Sequence, residues 1–366
     1  MITFDVIGFL LSWFTFFSIY AILSMSLNLE VGYAGMANFG KVAFYGIGAY
    51  VSAYVSMSIF LSLAGLNYPL YSLEATMAMV KLASQNPMLN VSVFILTLIL
   101  AFLIAGAIGY VIMYPTLRVG PAFFGITVLS FGELLRIFLR HYEPTGATYG
   151  LTGIPHPFAW IEDVFVKNLL FTSVTLIILI LLFLYAQRLV NSPLGRTMLA
   201  IREDEIAALC MGKDVPKVKG KVLFIGSGMA GIAGCILAYY IGSINPNIFV
   251  PTVTFDVWAM MILGGIGNNK GAIVGAGIIT LVDRATAAIN FVFPGLIIDP
   301  NFIRWMIIGL IIILVLLFKP AGLIPQTYTW TPAWKIVKPL EEKAKRRREK
   351  LLSPFKKISK WFLMGG

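Results

Sequence analysis

The sequence predicts an all-α, polytopic transmembrane helical bundle, and three observations predict it. Hydrophobic residues make up 58% of the 366 positions and charged residues 12%, with a mean hydropathy of +0.86. A soluble core has no room for that much apolar surface, whereas a bilayer solvates it. Apolar runs of spanning length recur along the chain, separated by short polar stretches. Charge, finally, is confined: residues 319–366 hold twelve Lys and Arg against three acids, and residues 188–221 hold seven against four, and the rest of the chain nets −1 to give the total of +11. Basic stretches beside spans face the cytoplasm, and a basic pI produced this way is poor support for nucleic-acid binding.

Taken in order, the apolar segments are 6–27, 42–63, 91–113, 123–139, 169–186, 222–241, 255–266, 272–289 and 303–318. Nine spans are the best expectation, within a range of about eight to ten. Segment 123–139 contains Glu133 and Arg136, and 255–266 is short for a hydrocarbon core of about 30 Å. Parity favours counting the short one, because an even number of crossings must separate two cytoplasmic basic segments. This topology places Lys41 and Arg118 inside, the loops 64–90 and 140–168 outside, and the N-terminus outside. Asp5 is the only charge ahead of the first apolar run, so that run is expected to remain as a span and not to be cleaved as a signal peptide. Residues 1–325 are then a membrane domain with a cytoplasmic loop at 188–221, and 326–366 a basic cytoplasmic tail.

The loop 191–221 is the longest strongly charged break between apolar segments. Ser192 followed by Pro193 reads as a helix start, a hydroxyl cap and then a proline where its missing N–H costs nothing. Gly212 reads as the stop. Between them Leu199, Ile206, Leu209 and Cys210 recur at helical spacing, while Arg202, Glu203, Asp204 and Glu205 supply charge. Periodicity alone admits either a solvated amphipathic helix or a docking helix for a partner.

Two glycine-rich stretches, 32–50 and 264–277, each fall at an inside-facing loop and end on Gly-x-Gly within the next helix. They are candidates for an internal repeat. Glycine there allows close helix approach and irregular backbone, which membrane proteins tolerate where it is packed or lines a polar path. Gly32, Gly35, Asn38, Gly40, Gly264, Gly265 and Gly267 are accordingly path candidates. Tight packing alone accounts for Gly226, Gly231 and Gly234. The run from Gly35 to Val42 has phosphate-loop spacing, but Val42 stands where a magnesium-binding hydroxyl is required, and Gly226–Gly231 matches a dinucleotide pattern inside an apolar helix. Neither is a nucleotide site, so any ATP dependence belongs to a partner.

Enzymatic constellations are thin. His141 and His156 have no acidic or cysteine partner at ligand spacing, so no metal is expected, and Cys210 and Cys235 read as structural. Glu133 and Arg136 share a helix face, where pairing lowers the cost of burial; an ion pair and a substrate contact are both open. Adjacent Asp283 and Arg284 are expected to point apart and find separate partners, and Asp256 and Glu30 to be solvated near span ends.

The blocks GYAGMANFGKVAFYGIGAY, FFGITVLSFGELLR, YGLTGIP, NSPLGRTMLAIREDEIAALCMG, GMAGIAGCILAYYIGSINP, MMILGGIGNNKGAIVGA and LFKPAGLIP are similar, in order, to those of the LivM-type permease of branched-chain amino acid ABC importers. The resemblance spans about residues 28–325. It implies a non-catalytic translocation subunit carrying leucine, isoleucine and valine, paired with a LivH-type permease. It also implies two cytoplasmic ATPase subunits, which hold ATP and magnesium, and an extracytoplasmic solute-binding protein. Ile206-Ala207-Ala208 with Gly212 resembles part of the importer docking motif, Glu205 standing one position from the usual acid. Small Ala207 and Ala208 would permit close seating against an ATPase, and Arg202, Glu203 and Asp204 would offer it charges. Lys41 stands where many relatives carry histidine. The tail, basic residues interleaved with Leu351, Phe355 and Trp361, suits membrane lipids of an anionic inner leaflet. Two alternatives remain at this point. One is a urea or short-amide permease of the same architecture, and the other an ion-coupled secondary carrier, against which the docking loop argues.

Overall fold

The structure, a computed structural model, describes residues 5–65, 68–117, 121–292 and 300–326. Arg118 and the basic tail beyond Gln326 lie outside the described residues. Twelve α-helices are present among them: α1 (Val6–Asn28), α2 (Lys41–Leu63), α3 (Leu73–Gln85), α4 (Pro87–Leu117), α5 (Pro121–His141), α6 (Val164–Asn191), α7 (Pro193–Glu203), α8 (Glu205–Cys210), α9 (Val215–Ile241), α10 (Pro251–Gly264), α11 (Asn269–Val292) and α12 (Pro300–Phe318). A two-residue antiparallel pair, β1 (Leu151–Thr152) with β2 (Ser243–Ile244), is the only sheet among the described residues.

The bundle is built around α9, which packs most extensively on α4 and α2. In lipid there is no hydrophobic drive between helices, so close backbone approach must supply the attraction. Glycine makes that possible here. A methyl group added at Gly234 would strike the carbonyl oxygen of Tyr45 on α2, and one at Gly231 would strike that of Ala101 on α4. Gly48 of α2 lies against the Gly231 backbone in turn. Interhelical hydroxyl contacts add to this packing, Thr97 to Tyr239 at 2.9 Å and Thr15 to Thr172 at 2.8 Å. On the other flank, α1 packs against α6 and α11, and α10 against α11, where Gly275 meets the Met260 carbonyl.

Seven helices are long and apolar enough to cross a membrane among the described residues. They are Val6–Tyr33, Lys41–Leu63, Pro87–Ile112, Val164–Asn191, Val215–Ile241, Pro246–Gly264 and Asn269–Ala288. Of the nine expected segments, 123–139 and 303–318 fall outside this set. The first is the charged α5, and the apolar part of α12, Arg304–Phe318, is short. The short seventh segment reaches spanning length because a 3-10 turn, Pro246–Ile248, precedes α10. Phe249, between the two, packs against the Tyr45 and Tyr50 rings of α2, so this irregular backbone lies beside a helix. That is the setting in which a bilayer tolerates it.

The chain gathers its loops at two ends. At one end, β1 and β2 pair, Gly153 N–H donates to the Gly242 carbonyl at 3.0 Å, and Thr76 donates to the Thr152 carbonyl at 3.3 Å. The loop expected at 64–90 contains α3, a short amphipathic helix capped by Ser72, with Ala75, Met79 and Ala83 buried at four-residue intervals. At the other end lie α7, α8 and the glycine-rich loops.

Candidate functional site: the polar end of the bundle

The last turn of α1 widens into a π-helical turn, Leu29–Tyr33, and the glycine loop that follows leads into α2. Glu30, expected to be solvated, is instead fully buried. Its Oε1 accepts from Lys41 Nζ at 2.7 Å and its Oε2 from Asn38 Nδ2 at 2.8 Å. Lys41 is equally buried. The reason is local: Gly226 of α9 leaves space for the carboxylate, which would clash with a methyl there, and the turn at Asn38–Gly40 folds the α2 amino end back over it. Asn28 then joins this unit to the second glycine loop. Its Oδ1 accepts from Gly267 N–H at 2.8 Å, and its Nδ2 donates to Asn269 Oδ1 at 2.9 Å.

The glycines flagged in the sequence are thus brought together. A side chain at Gly32 would meet the Gly267 nitrogen at 2.6 Å, Gly264 lies against the Gly271 carbonyl, and Gly40 lies against the Val128 carbonyl of α5. Gly35 has φ +71° and its added methyl would meet Arg202 Cγ at 3.1 Å. Gly265, with φ +121°, sits under the Ile324 carbonyl just beyond α12.

Ser192 caps α7 as expected, accepting from Gly195 N–H at 3.4 Å, with Pro193 in the first turn. The single helix expected to run on to Gly212 does not form. Asp204 breaks it with φ −155° and starts α8, its Oδ1 accepting from Ile206 N–H at 2.9 Å and Ala207 N–H at 3.0 Å. An acid at the cap with Glu205 in the first turn satisfies orphan donors that a continuous helix would not have. Gly212 (φ +72°) turns the chain, and its would-be side chain meets nothing within 4 Å. Beyond it, Asp214 caps α9, and its hydrogen bond to the Lys217 side chain holds its carboxyl below the usual carboxylate range.

The coupling candidates divide between two directions. Arg202, Glu205 and Ala208 turn inward, Glu205 onto Lys219 at 2.6 Å and Ala208 onto Ile201 and Val215. Glu203, Asp204, Ala207 and Gly212 face out, and with them Ile206, Leu209 and Met211, at 73%, 49% and 81% exposure. Apolar and charged side chains are thus exposed together on this segment.

Glu133 and Arg136 do pair, Nη2 to Oε2 at 2.7 Å and Nε to Oε2 at 3.1 Å. Both stay partly exposed on an α5 face shared with Ile126 and Ile137. Arg136 borders a narrow cleft lined by Val42 and Gly46 of α2 together with Pro246 and Phe249. Asp283 and Arg284 correct their expectation. Sequence neighbours diverge by about 100° on a helix, yet the long guanidinium folds back onto Asp283 at 2.8 Å while stacking 3.7 Å over the Phe16 ring. Asp283 also accepts from Arg304. Sequence reasoning missed Asn28, Gln326 and the Glu30–Lys41 pair, whose members are separated by a loop and carry no periodic signal. No cluster of three or more His, Cys, Asp or Glu side chains fit to hold a metal occurs among the described residues.

Residues 9–316 match the family described as branched-chain amino acid transport system / permease component. The chain belongs to that family. It is 32% identical to the probable branched-chain amino acid transport permease protein LivM of Methanocaldococcus jannaschii, over 90% of this chain and 96% of the relative. It is 29% identical to the high-affinity permease protein LivM of Escherichia coli, over 84% of this chain and 68% of that one. It is also 26% identical to LivH of Salmonella typhimurium, over 74% and 82%. No solved structure matches the chain. As a member of a family of transport permeases, the chain is a translocation subunit and not an enzyme.

Proposed function

We propose that this chain is one of two permease subunits of an ATP-driven importer of leucine, isoleucine and valine in the cytoplasmic membrane. The observation that carries the reading is the capped, outward-facing segment of α7 and α8, whose exposed Ile206, Leu209 and Met211 offer an apolar seat beside Glu203 and Asp204. A self-sufficient carrier has no use for such a seat; a subunit moved by a cytoplasmic ATPase does. The similarity to relatives named both LivM and LivH supports a second, LivH-type permease as partner. ATP and magnesium reside in two ATPase subunits, and a solute-binding protein delivers cargo on the opposite side. The C-terminal tail lies in the cytoplasm against anionic membrane lipids, and nine spans place the N-terminus outside.

The path runs along the interface with the second permease. The α5 face bearing Glu133 and Arg136 supports this, because charge left facing hydrocarbon is costly and a partner or a water-filled path removes the cost. Uptake of radiolabelled leucine into proteoliposomes containing the assembled subunits and ATP is the test, with Ile206→Arg and Ala207→Arg as coupling controls. Uptake lost in both variants together with ATPase binding is the expected result. ATP hydrolysis with uptake of urea or a short amide but no leucine would keep the architecture and remove the cargo.

A further inference from the structure

We propose that Arg202 is a positioning residue that links the coupling segment to the spans, and that it does so without touching an ATPase. The inference rests on the importer reading above.

Three separate stretches of chain converge on this one side chain, together with its own neighbour Glu203. Its Nη1 donates to the Gly32 carbonyl in the π-helical turn that ends α1, and to Gln326 Oε1 beyond α12 at 2.9 Å. Nε and Nη2 donate to Glu203 at 3.2 and 2.6 Å. Its aliphatic stem packs on Gly35, and Nη1 would lie 3.3 Å from a side chain at Gly267. Two glycines, Gly35 and Gly267, therefore leave room for the side chain on its way to its acceptors.

The chemistry suits arginine alone. Carbonyls in the last turn of a helix lack intrahelical donors and form the negative end of the helix dipole, so a cation there is favoured. A planar guanidinium satisfies that carbonyl, an amide oxygen and a carboxylate at once, whereas an ammonium is a point charge without the fork. Gly32 is in turn part of a hydrogen-bonded unit. Asn28 fastens it to Gly267 and Asn269, and Glu30 fastens it to Lys41 at the start of α2. A displacement of α7 is thereby felt by α1, α2, α11 and the end of α12 together. Glu203, whose carboxylate steadies the guanidinium, is 70% exposed, so a partner seated on α7 acts on Arg202 through it.

The test uses the assembled transporter in proteoliposomes, comparing Arg202→Met, Arg202→Lys and Gln326→Ala with wild type. Two quantities are read: leucine transported per ATP hydrolysed, and hydrogen exchange of the 29–36 and 265–269 backbone. Arg202→Met is expected to keep most ATP hydrolysis while transport per ATP falls about tenfold, the scale of one lost charge-assisted hydrogen bond. Exchange in both segments should rise. Arg202→Lys should recover part of the ratio, and Gln326→Ala, which leaves the Gly32 contact in place, should show a smaller loss. An unchanged ratio in Arg202→Met, or equal loss of hydrolysis and transport, overturns the proposal. If wild type shows no ATP-driven uptake at all, the importer reading fails by itself. The link is then judged on exchange, where no change in either segment overturns it.

Discussion

Removing the charge of Glu30 leaves Lys41 facing an uncompensated site inside the bundle, and the structure sets the size of the effect. Both carboxylate oxygens are engaged, by Lys41 Nζ at 2.7 Å and Asn38 Nδ2 at 2.8 Å, and neither charged side chain exposes more than 1% of its surface. Glu30→Gln presents one oxygen and one amide group to two donors, so one donor must face another. Breaking a buried pair from one side costs about 3–5 kcal/mol, while replacing both partners by uncharged groups of similar volume is close to neutral. Glu30→Gln and Lys41→Met are each expected to lower the unfolding midpoint in detergent by about 10 °C, taking about 2–4 °C per kcal/mol for a chain of 150–250 residues as an upper guide. The double variant should lie nearer to wild type than either single. Midpoints are compared at one heating rate, because membrane proteins commonly unfold irreversibly and the midpoint then depends on that rate. Additivity of the two single losses within about 0.5 kcal/mol would show that the side chains do not act as a pair and would refute the reasoning.

Other outcomes follow from the same contacts. Gly234→Ala should be destabilising by about 1–3 kcal/mol, because the Tyr45 carbonyl in its way is backbone and the α2–α9 distance must grow. Gly309→Ala, whose methyl meets nothing within 4 Å in the middle of α12, should raise the midpoint, with a gain of up to about 1 kcal/mol from helix propensity; a fall there would remove propensity as the deciding term. His156 gives a pH dependence. Burial, assisted by Lys167, holds its pKa down to about 4, and its Nδ1 accepts from Phe158 N–H at 3.1 Å. The neutral ring is favoured in the fold, so its contribution, about 3 kcal/mol at most, is complete above about pH 6.5 and is lost as pH falls toward 4. His156→Asn should flatten the loss of thermal midpoint between pH 7 and pH 4.5, and an equal loss in both proteins would sink the assignment. Ser192→Ala should cost about 1 kcal/mol through the α7 cap, read as faster hydrogen exchange over 193–197.

What the sequence made legible was whatever depends on neighbours a few residues away. The apolar runs, the Ser192–Pro193 start, the Glu133–Arg136 pair and the packing role of Gly231 and Gly234 are all short-range signals, and the structure contains each of them. Asp204 followed by Glu205 is as good a helix start as Ser192–Pro193, but a single apolar period runs through it and hides the break. The α3 helix was likewise written in Ser72 and the 75, 79, 83 spacing. Glu30–Lys41, Asn28–Asn269 and Arg202–Gln326 are different. Each joins elements that only the tertiary fold brings together, so no period or motif announces them.

Those long-range contacts explain why charge and glycine occur together at this end of the bundle. A loop that must pass close to two others needs glycine, and glycine offers no side chain to hold what has come close. Backbone carbonyls of such loops also remain without donors. Side chains from neighbouring helices do the holding: Arg202 donates to the Gly32 carbonyl, Asn28 accepts from the Gly267 N–H and donates to Asn269 Oδ1, and Lys41 donates to the Glu30 carboxylate. The helix core of α2, α4 and α9 is held differently, by backbone approach with few polar ties. Dispersion packing of that kind resists separation along its whole length, whereas a hydrogen-bonded junction has discrete alternatives when one acceptor is withdrawn. A movement imposed on α7 is therefore accommodated at the polar junction before it is accommodated in the glycine-packed core. Hydrogen exchange in the assembled transporter would rank the two: with nucleotide added, protection should change at 29–36 and 265–269 and stay constant through 223–237, and the reverse order would contradict it.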